Sequence, residues 1–475
     1  MRVFFCRLVT VIACLCIHPL NAATSLPQDV VNVLNKHKLP HHSMSILVRE
    51  IGNEQPLIDY QSDLPRNPAS VMKIVTTLAG LELLGPDYVW ETHFHTDGNL
   101  NGDTLEGNLI IEGGGDPFLV RETFWHMLYT LQLRGIRHIR GNLVIDNTLF
   151  RPEPGTTGDF DNRPYRAYNA FPDAALLNFS AQNFVIIPYI NRLHIYADPP
   201  SSSLVIHNKV KMTRGKCRGL RNSLKMHVRE SKDDQTIVEF SGEYPAQCGQ
   251  RELLRSVSNN SQFVFGVFKS LWEDMGGSIS GRGVTGKTPE KVALLHKQFS
   301  RPLSTIIHYI NKHSNNVMAR QLLLTIGLEM HGEPATPFSG EQAIRDWIAQ
   351  KGIDASDLII ENGSGLSRKS RIRTSTLAQL LEQAWQSPFQ PEFLSSLPIA
   401  GMDGTMKKRL NGHIRAGSMR IKTGLLRDVR SMAGYVTTKS GKNYVIVSLQ
   451  NHPGVQNWTG TEVQDALLKW LYRYH

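Results

Sequence analysis

Apolar and polar positions along the chain follow two rhythms. Val30, Val31, Val33 and Leu34 recur at helical spacing within 28–38. Met44–Glu50 alternates with a period of two, which predicts a strand, and 57–60 reads as its hairpin partner. A strong helix is predicted over 69–84. From about Tyr88 to Val292 the texture changes to short apolar runs, such as Leu109–Glu112 and Leu143–Asp146, set among glycines and loops. This stretch of roughly 200 residues reads as β-rich and lies near the upper end of domain sizes. Helical spacing returns over 304–310, 316–328, 340–350 and 374–386. Strands are predicted over 418–422, 430–437 and 444–451, the last two joined by a turn around Gly441. A final amphipathic helix, 462–472, gathers Val463, Leu467, Leu468 and Leu471 on one side. Its cationic face is thin (Lys469, Arg473), so it is expected to pack on the sheet rather than lie on a membrane. The outline is an α/β (α+β) unit, split over 23–92 and 293–475, around an insertion at 93–292 with a nested subdomain at about 187–255.

The first residues stand apart from this pattern. Arg2 and Arg7 precede a ten-residue apolar run, 8–17, which His18 and Pro19 break before the small residues Ala22 and Ala23. That is the layout of a secretory signal peptide, 1–22, and the run is too short to be a transmembrane segment. Export to the periplasm or cell envelope is expected, with cleavage after Ala22 or Ala23.

Removal of this segment changes the composition. The 475-residue chain has a net charge of +10, and the loss of two arginines lowers it to +8. Of five cysteines, Cys6, Cys14 and Cys16 leave, and Cys217 and Cys248 remain as a disulfide candidate for an oxidising compartment. A chain that is 41% hydrophobic and 20% charged is neither disordered nor collagenous. Its positive charge is diffuse and lacks a basic arm with interleaved aromatics, so no nucleic-acid partner is expected.

Candidate chemistry comes from sparse polar groups. Ser70 and Lys73 open the helix at 69–84, and a spacing of three puts both side chains on one face. A hydroxyl needs a base to take its proton, and a desolvated lysine can serve. Lys422-Thr423-Gly424 ends a predicted strand, where a cation can hold a substrate carboxylate and a glycine lets a substrate backbone approach. Ser-x-Asn occurs at Ser258/Asn260 and at Ser314/Asn316; the first sits in the polar run VSNNSQ and reads as a helix cap. The second lies between two predicted helices and is the chemical candidate. Gly281 to Thr288 matches a phosphate-binding loop in letters only, because that loop needs a buried strand before it and a helix after it. No zinc-type spacing stands out, so neither metal nor cofactor is predicted.

Ser70-x-x-Lys73, Ser314-x-Asn316 and Lys422-Thr423-Gly424 occur in the order of penicillin-binding proteins and serine β-lactamases. The 244 positions between Ser70 and Ser314 exceed what a compact β-lactamase needs. The chain resembles the low-molecular-mass class C penicillin-binding proteins, the D-alanyl-D-alanine carboxypeptidase/endopeptidase family, which carry extra domains in that interval. Further segments resemble it: Gly113-Gly114-Gly115-Asp116-Pro117, Tyr168-Asn169-Ala170, Gly363 to Arg368, Leu397 to Gly401, and Asp403-Gly404-Thr405.

The resemblance implies a transpeptidase/β-lactamase-like catalytic domain interrupted by two smaller ones. It implies that Ser70 attacks the D-Ala–D-Ala bond of peptidoglycan peptides with Lys73 as base. Ser314 would relay a proton, Asn316 would orient Lys73, and Lys422 and Thr423 would bind the terminal carboxylate. The N–H groups of Ser70 and Leu425 would form the oxyanion hole, and β-lactam antibiotics would be covalent inhibitors. Leu425 stands where the family usually has Thr, and an acidic residue of the insertion, Asp161 or its neighbour Asp159, would contact the peptide. A β-lactamase and a catalytically silent wall-binding protein are the competing readings.

Overall fold

A computed structural model describes residues 25–475 apart from 152–153, 191, 218, 220–222 and 232–234. The expected signal peptide, 1–22, lies outside the described residues.

The part of the chain that carries Ser70, Ser314 and Lys422 is built on one antiparallel sheet. Its strand order is Met419–Leu426, Val429–Thr437, Asn443–Asn451, Met44–Glu50 and Pro56–Tyr60. The central strands are buried on both faces, and the period-two pleat divides their side chains between two cores. Leu47, Tyr435, Val445 and Val447 face one core, with the helices Met72–Leu84, Leu303–His313, Asn316–His331, Pro337–Gln350 and Thr374–Gln386. Ile46, Val48, Val436 and Ile446 face the other, against the helices Gln28–Lys36 and Trp458–Tyr474. Val463, Leu467, Leu468 and Leu471 of the terminal helix are all buried there, so its apolar face packs on protein.

The helix Met72–Leu84 lies in the middle of the first core. Every residue from Met72 to Leu81 is buried, polar ones included. A helix apolar nearly all round can only be stable when neighbours cover every face. Gly80 permits the closest approach: a Cβ there would meet the Leu322 side chain at 3.1 Å.

The intervening chain builds two more units. A five-stranded sheet runs Gly283–Thr285, Leu143–Asp146, Leu109–Glu112, Glu91–Thr96 and Ala293–Phe299. Its outer pairing, Glu91–Thr96 with Ala293–Phe299, extends past both sequence-derived boundaries of the insertion. The helices Arg121–Leu133 and Asn260–Asp274 share its core. A β-rich reading passed over both, although Phe124, Met127, Leu128 and Leu131 have helical spacing and are buried. The nested unit pairs Gln182–Pro188 with Leu193–Asp198 and Arg251–Arg255, beside a second sheet of Leu204–Thr213, Thr236–Pro245 and Leu224–Glu230.

Two glycine-rich segments are packing corners. The residues after Gly281 form the strand Gly283–Thr285, where a phosphate loop requires a helix. In Gly113–Pro117, a Cβ on Gly114 would lie 1.8 Å from the Glu91 carbonyl oxygen, and one on Gly113 would lie 2.4 Å from that of Ala174.

A disulfide joins Cys217 to Cys248 within the nested unit, across a sequence separation of 31. Closing a loop of that size removes about 3–4 kcal/mol of denatured-chain entropy. Replacing both cysteines by serine should therefore destabilise the insertion by about that amount in a denaturant titration. The cores around Ser70 and Lys422 should keep their fold in the same titration, because the bridge lies in a separate core.

Candidate active site

Each candidate side chain is placed by a local backbone feature. Ser70 sits in the 3-10 turn Ala69–Val71 that leads into the helix Met72–Leu84. Asn67 tightens that turn by accepting from the Ala69 N–H at 2.9 Å and donating to the Ser367 carbonyl at 2.8 Å. Ala69 has φ +48°, and a Cβ on Gly365 would lie 1.9 Å from the Ala69 carbonyl oxygen. The loop carrying Gly365 is thus seated directly on the turn that presents Ser70.

Ser314-Asn315-Asn316 is a junction between helices. Ser314 has φ +57° and ends the helix Leu303–His313 in the left-handed region, which costs a non-glycine residue energy and marks an imposed geometry. Asn315 caps the next helix, its side chain accepting from the Met318 N–H at 3.1 Å. Asn316 is the first residue of that helix. The other Ser-x-Asn is a cap and no more: Asn259 accepts from the Gln262 N–H, and Ser258 Oγ meets Thr236 Oγ1 at 2.8 Å.

These elements converge on Lys73. Its Nζ donates to Ser70 Oγ at 3.1 Å, to Asn316 Oδ1 at 2.7 Å and to the Ser364 carbonyl at 2.6 Å. The residue is 0% exposed. Burial, with Lys422 and Arg320 nearby, holds its ammonium well below the usual lysine range. Lys422 is also 0% exposed, and burial lowers its pKa to about 7. Its Nζ donates to Ser314 Oγ and to the Thr423 carbonyl, both at 3.0 Å. A hydrogen-bonded row therefore runs Asn316–Lys73–Ser70, and a second runs Lys422–Ser314.

Both rows open on one cleft of about 1550 Å³, lined by Ser70, Ser314, Asn316, Leu425, Tyr168 and Asp161 among others. Asp161 is held toward it: Tyr168 Oη donates to Oδ2 at 2.7 Å, and Asn169 Nδ2 donates to Oδ1 at 2.9 Å. Asp159 is turned to its own loop, accepting from Thr156 N and Oγ1 at 2.8 and 2.5 Å. Thr423 Oγ1 donates to Thr405 Oγ1 at 2.7 Å on the strand's outer side.

Gly424 has a different use from the one its sequence suggested. A Cβ there would lie 2.1 Å from Ser431 Oγ and 2.6 Å from the Pro68 carbonyl oxygen. The missing side chain makes room for the turn before Ser70, so the strand can reach the nucleophile. Sequence reasoning also missed two backbone partners. The Ser364 carbonyl binds Lys73, and the Tyr168 carbonyl accepts from Asn316 Nδ2 at 3.3 Å. Both lie in segments that the family resemblance had picked out, which was the available signal.

The helix Asn316–His331 ties the insertion to this site. Arg320 Nη1 donates to the Ala170 carbonyl at 3.2 Å, and Gln321 Nε2 donates to the Asp173 carbonyl at 2.9 Å. Chemically, the cleft offers a hydroxyl beside an amine whose hold on its proton is weakened by burial, with a second buried lysine next to another hydroxyl. That combination suits acyl transfer through a covalent intermediate.

Comparison with known proteins gives the same fold and class. Residues 26–474 match the model of the D-Ala-D-Ala carboxypeptidase 3 (S13) family. The chain is 25% identical over 449 residues to D-alanyl-D-alanine carboxypeptidase DacB of Haemophilus influenzae, covering 91% of each. It is 26% identical over 463 residues to D-alanyl-D-alanine carboxypeptidase of Actinomadura sp. (strain R39), covering 95% of this chain and 85% of the other. Among solved structures, penicillin binding protein 4 (dacB) from Haemophilus influenzae superposes with a TM-score of 0.78 at 23% identity, covering 94% and 99% of the two chains. With its fold, its hydrogen-bonded Ser70–Lys73 pair and a family match spanning nearly all the described residues, the chain belongs to the D-Ala-D-Ala carboxypeptidase 3 (S13) family.

Proposed function

We propose that this protein is a serine DD-peptidase that cleaves the D-Ala–D-Ala bond of peptidoglycan stem peptides, as a carboxypeptidase and on cross-links as an endopeptidase. The observation that carries the reading is Lys73, fully buried and hydrogen-bonded to Ser70 Oγ. A neutral Lys73 takes the Ser70 proton as Oγ attacks the carbonyl. The oxyanion that forms faces the N–H groups of Ser70 and Leu425. Collapse breaks the C–N bond, and Ser314, on its hydrogen bond from Lys422, relays to the departing amine the proton that Lys73 had taken, which leaves Ser314 a hydroxyl and Lys73 neutral again. Water then attacks the ester as neutral Lys73 takes its proton, and that proton passes to Ser70 Oγ as the acyl–oxygen bond breaks, so the free enzyme is restored.

The substrate's terminal carboxylate belongs beside Lys422 and Thr423, and its charge restores the ammonium that burial weakens. Asp161 carries the insertion's contribution, a carboxylate aimed at an ammonium on the peptide. Export to the periplasm or cell envelope fits the Met1–Ala22 pattern and the Cys217–Cys248 bridge. A split of the chain around an inserted region, expected at 93–292, is supported by the separate cores of the sheets, with the pairing of Glu91–Thr96 and Ala293–Phe299 drawing both edges of the insertion outward.

Incubation with labelled penicillin, followed by peptide mapping, should place one adduct on Ser70, and Lys73→Met should slow acylation by about 10²–10⁴-fold. Rapid turnover of penicillin would instead identify a β-lactamase, and no adduct on a folded protein would sink both readings.

The depressed lysine pKa values set a pH profile. Below the Lys73 pKa the base is protonated, so acylation rises with pH; above about 7 Lys422 loses its proton, so carboxylate binding weakens. Second-order acylation rates should therefore fall on the alkaline side, and Lys422→Arg should move that fall to higher pH in a stopped-flow titration. An unmoved alkaline limb would remove Lys422 from this role.

Asp161→Asn should raise KM for a peptide bearing a side-chain amine by roughly tenfold, about 1.4 kcal/mol. Acylation by benzylpenicillin, which lacks that amine, should stay within about twofold. Equal losses on both would indicate a disturbed loop.

A further inference from the structure

We propose that His93, His95 and Glu112 form a site for one zinc-class divalent cation on the solvent-facing side of the inserted sheet. His93 and His95 are two apart on the strand Glu91–Thr96, so the pleat turns both rings to one face. The register sets Glu112 of the neighbouring strand directly opposite His93. Glu112 Oε2 lies 3.1 Å from His93 Nδ1 and 2.7 Å from His95 Nε2. One ligand atom from each residue lies within 4.8 Å of the other two. Tetrahedral zinc, with bonds of about 2.0–2.1 Å, needs neighbouring donors about 3.3 Å apart, so small side-chain rotations suffice. Two imidazoles and a carboxylate form a known zinc donor set, with a fourth position left to water.

The remaining ring nitrogens support this reading. His93 Nε2 lies 3.0 Å from Glu91 Oε2, and Glu91 is itself held by Lys297 Nζ at 2.7 Å. A neutral His93 has one N–H, so it satisfies one carboxylate and turns a lone pair on the other. With a cation on Nδ1, the proton rests on Nε2 and is donated to Glu91, the carboxylate–histidine–metal arrangement that fixes a ligand ring. His95 Nδ1 is buried without a partner, so the polar contact of that ring lies at the cluster.

The location gives the cation a structural task. It would clasp Glu91–Thr96 to Leu109–Glu112, one residue beyond Trp90, whose indole is buried in the catalytic core and donates to Thr325 Oγ1 at 2.8 Å. None of the three ligands lines the Ser70 cleft, so the cation would stiffen the junction of insertion and catalytic domain and leave acylation chemistry to Lys73.

The test uses the tag-free, processed chain, stripped with a chelator and titrated with Zn²⁺. Calorimetry should give one zinc per chain, and the melting temperature should rise by roughly 5 °C at a hundredfold excess over Kd. Co²⁺ at the same site should show the intense visible bands of a tetrahedral centre. Glu112→Gln should weaken zinc binding at least tenfold, and the double variant His93→Ala/His95→Ala should abolish it. Metal-free acylation of Ser70 at the unaltered rate would certify that these variants are folded. Zinc binding that survives in both variants overturns the proposal. So does the absence of any zinc binding to the folded, metal-stripped protein.

Discussion

The structure depends on the complete burial of one amine. Lys73 is surrounded by a hydroxyl, an amide oxygen and a backbone carbonyl, none of which carries a full negative charge. An uncompensated ammonium in such a place costs several kcal/mol, and Lys422 and Arg320 add like-charge repulsion. Losing the proton removes that cost. The same burial that requires a tightly covered helix also gives Lys73 the weakened proton affinity that its proposed role as base at Ser70 requires.

Other features of the fold maintain this condition. Gly80 lets Leu322 close over the helix, Gly365 lets its loop reach the turn at Ala69, and Gly424 lets the edge strand reach Pro68. Each is a place where a side chain would push apart the elements that exclude water from Lys73. The insertion takes part as well. Its Tyr168 carbonyl holds the Asn316 amide, and Phe160 lies under the Arg368 guanidinium at 4.7 Å, so one wall of the cleft comes from a different domain. Variation of the insertion can therefore alter substrate choice while leaving the Ser–Lys chemistry unchanged.

Much of this was legible before any coordinates. Period-two and helical spacing located the sheet strands and most helices of the catalytic domain, because those elements bury a regular face. The helices Arg121–Leu133 and Asn260–Asp274 escaped, their apolar faces sitting within a glycine-rich, strand-like context. Gly424 was singled out as a point of close approach, and only packing shows that the Pro68 backbone and Ser431 come close to it. Asp161 and Asp159 could not be separated by letters alone; in the folded chain Asp161 lines the cleft, while Asp159 is turned to Thr156 of its own loop.

What the sequence determined by itself is local. It set which side chains share a helical face at Ser70 and Lys73, where caps such as Asn315 start a helix, and that Cys217 and Cys248 remain to pair. The order and spacing of the three motifs carried the family, because chemistry constrains residue types at few positions. The tertiary structure decided everything that depends on who lies next to whom. It brought Lys422 to Ser314 across 108 positions, and it gathered His93, His95 and Glu112 from two strands. It also set the proton affinity of Lys73. Desolvation is a property of the surrounding volume, and that volume is filled by segments far apart in the chain, so no local pattern can encode it.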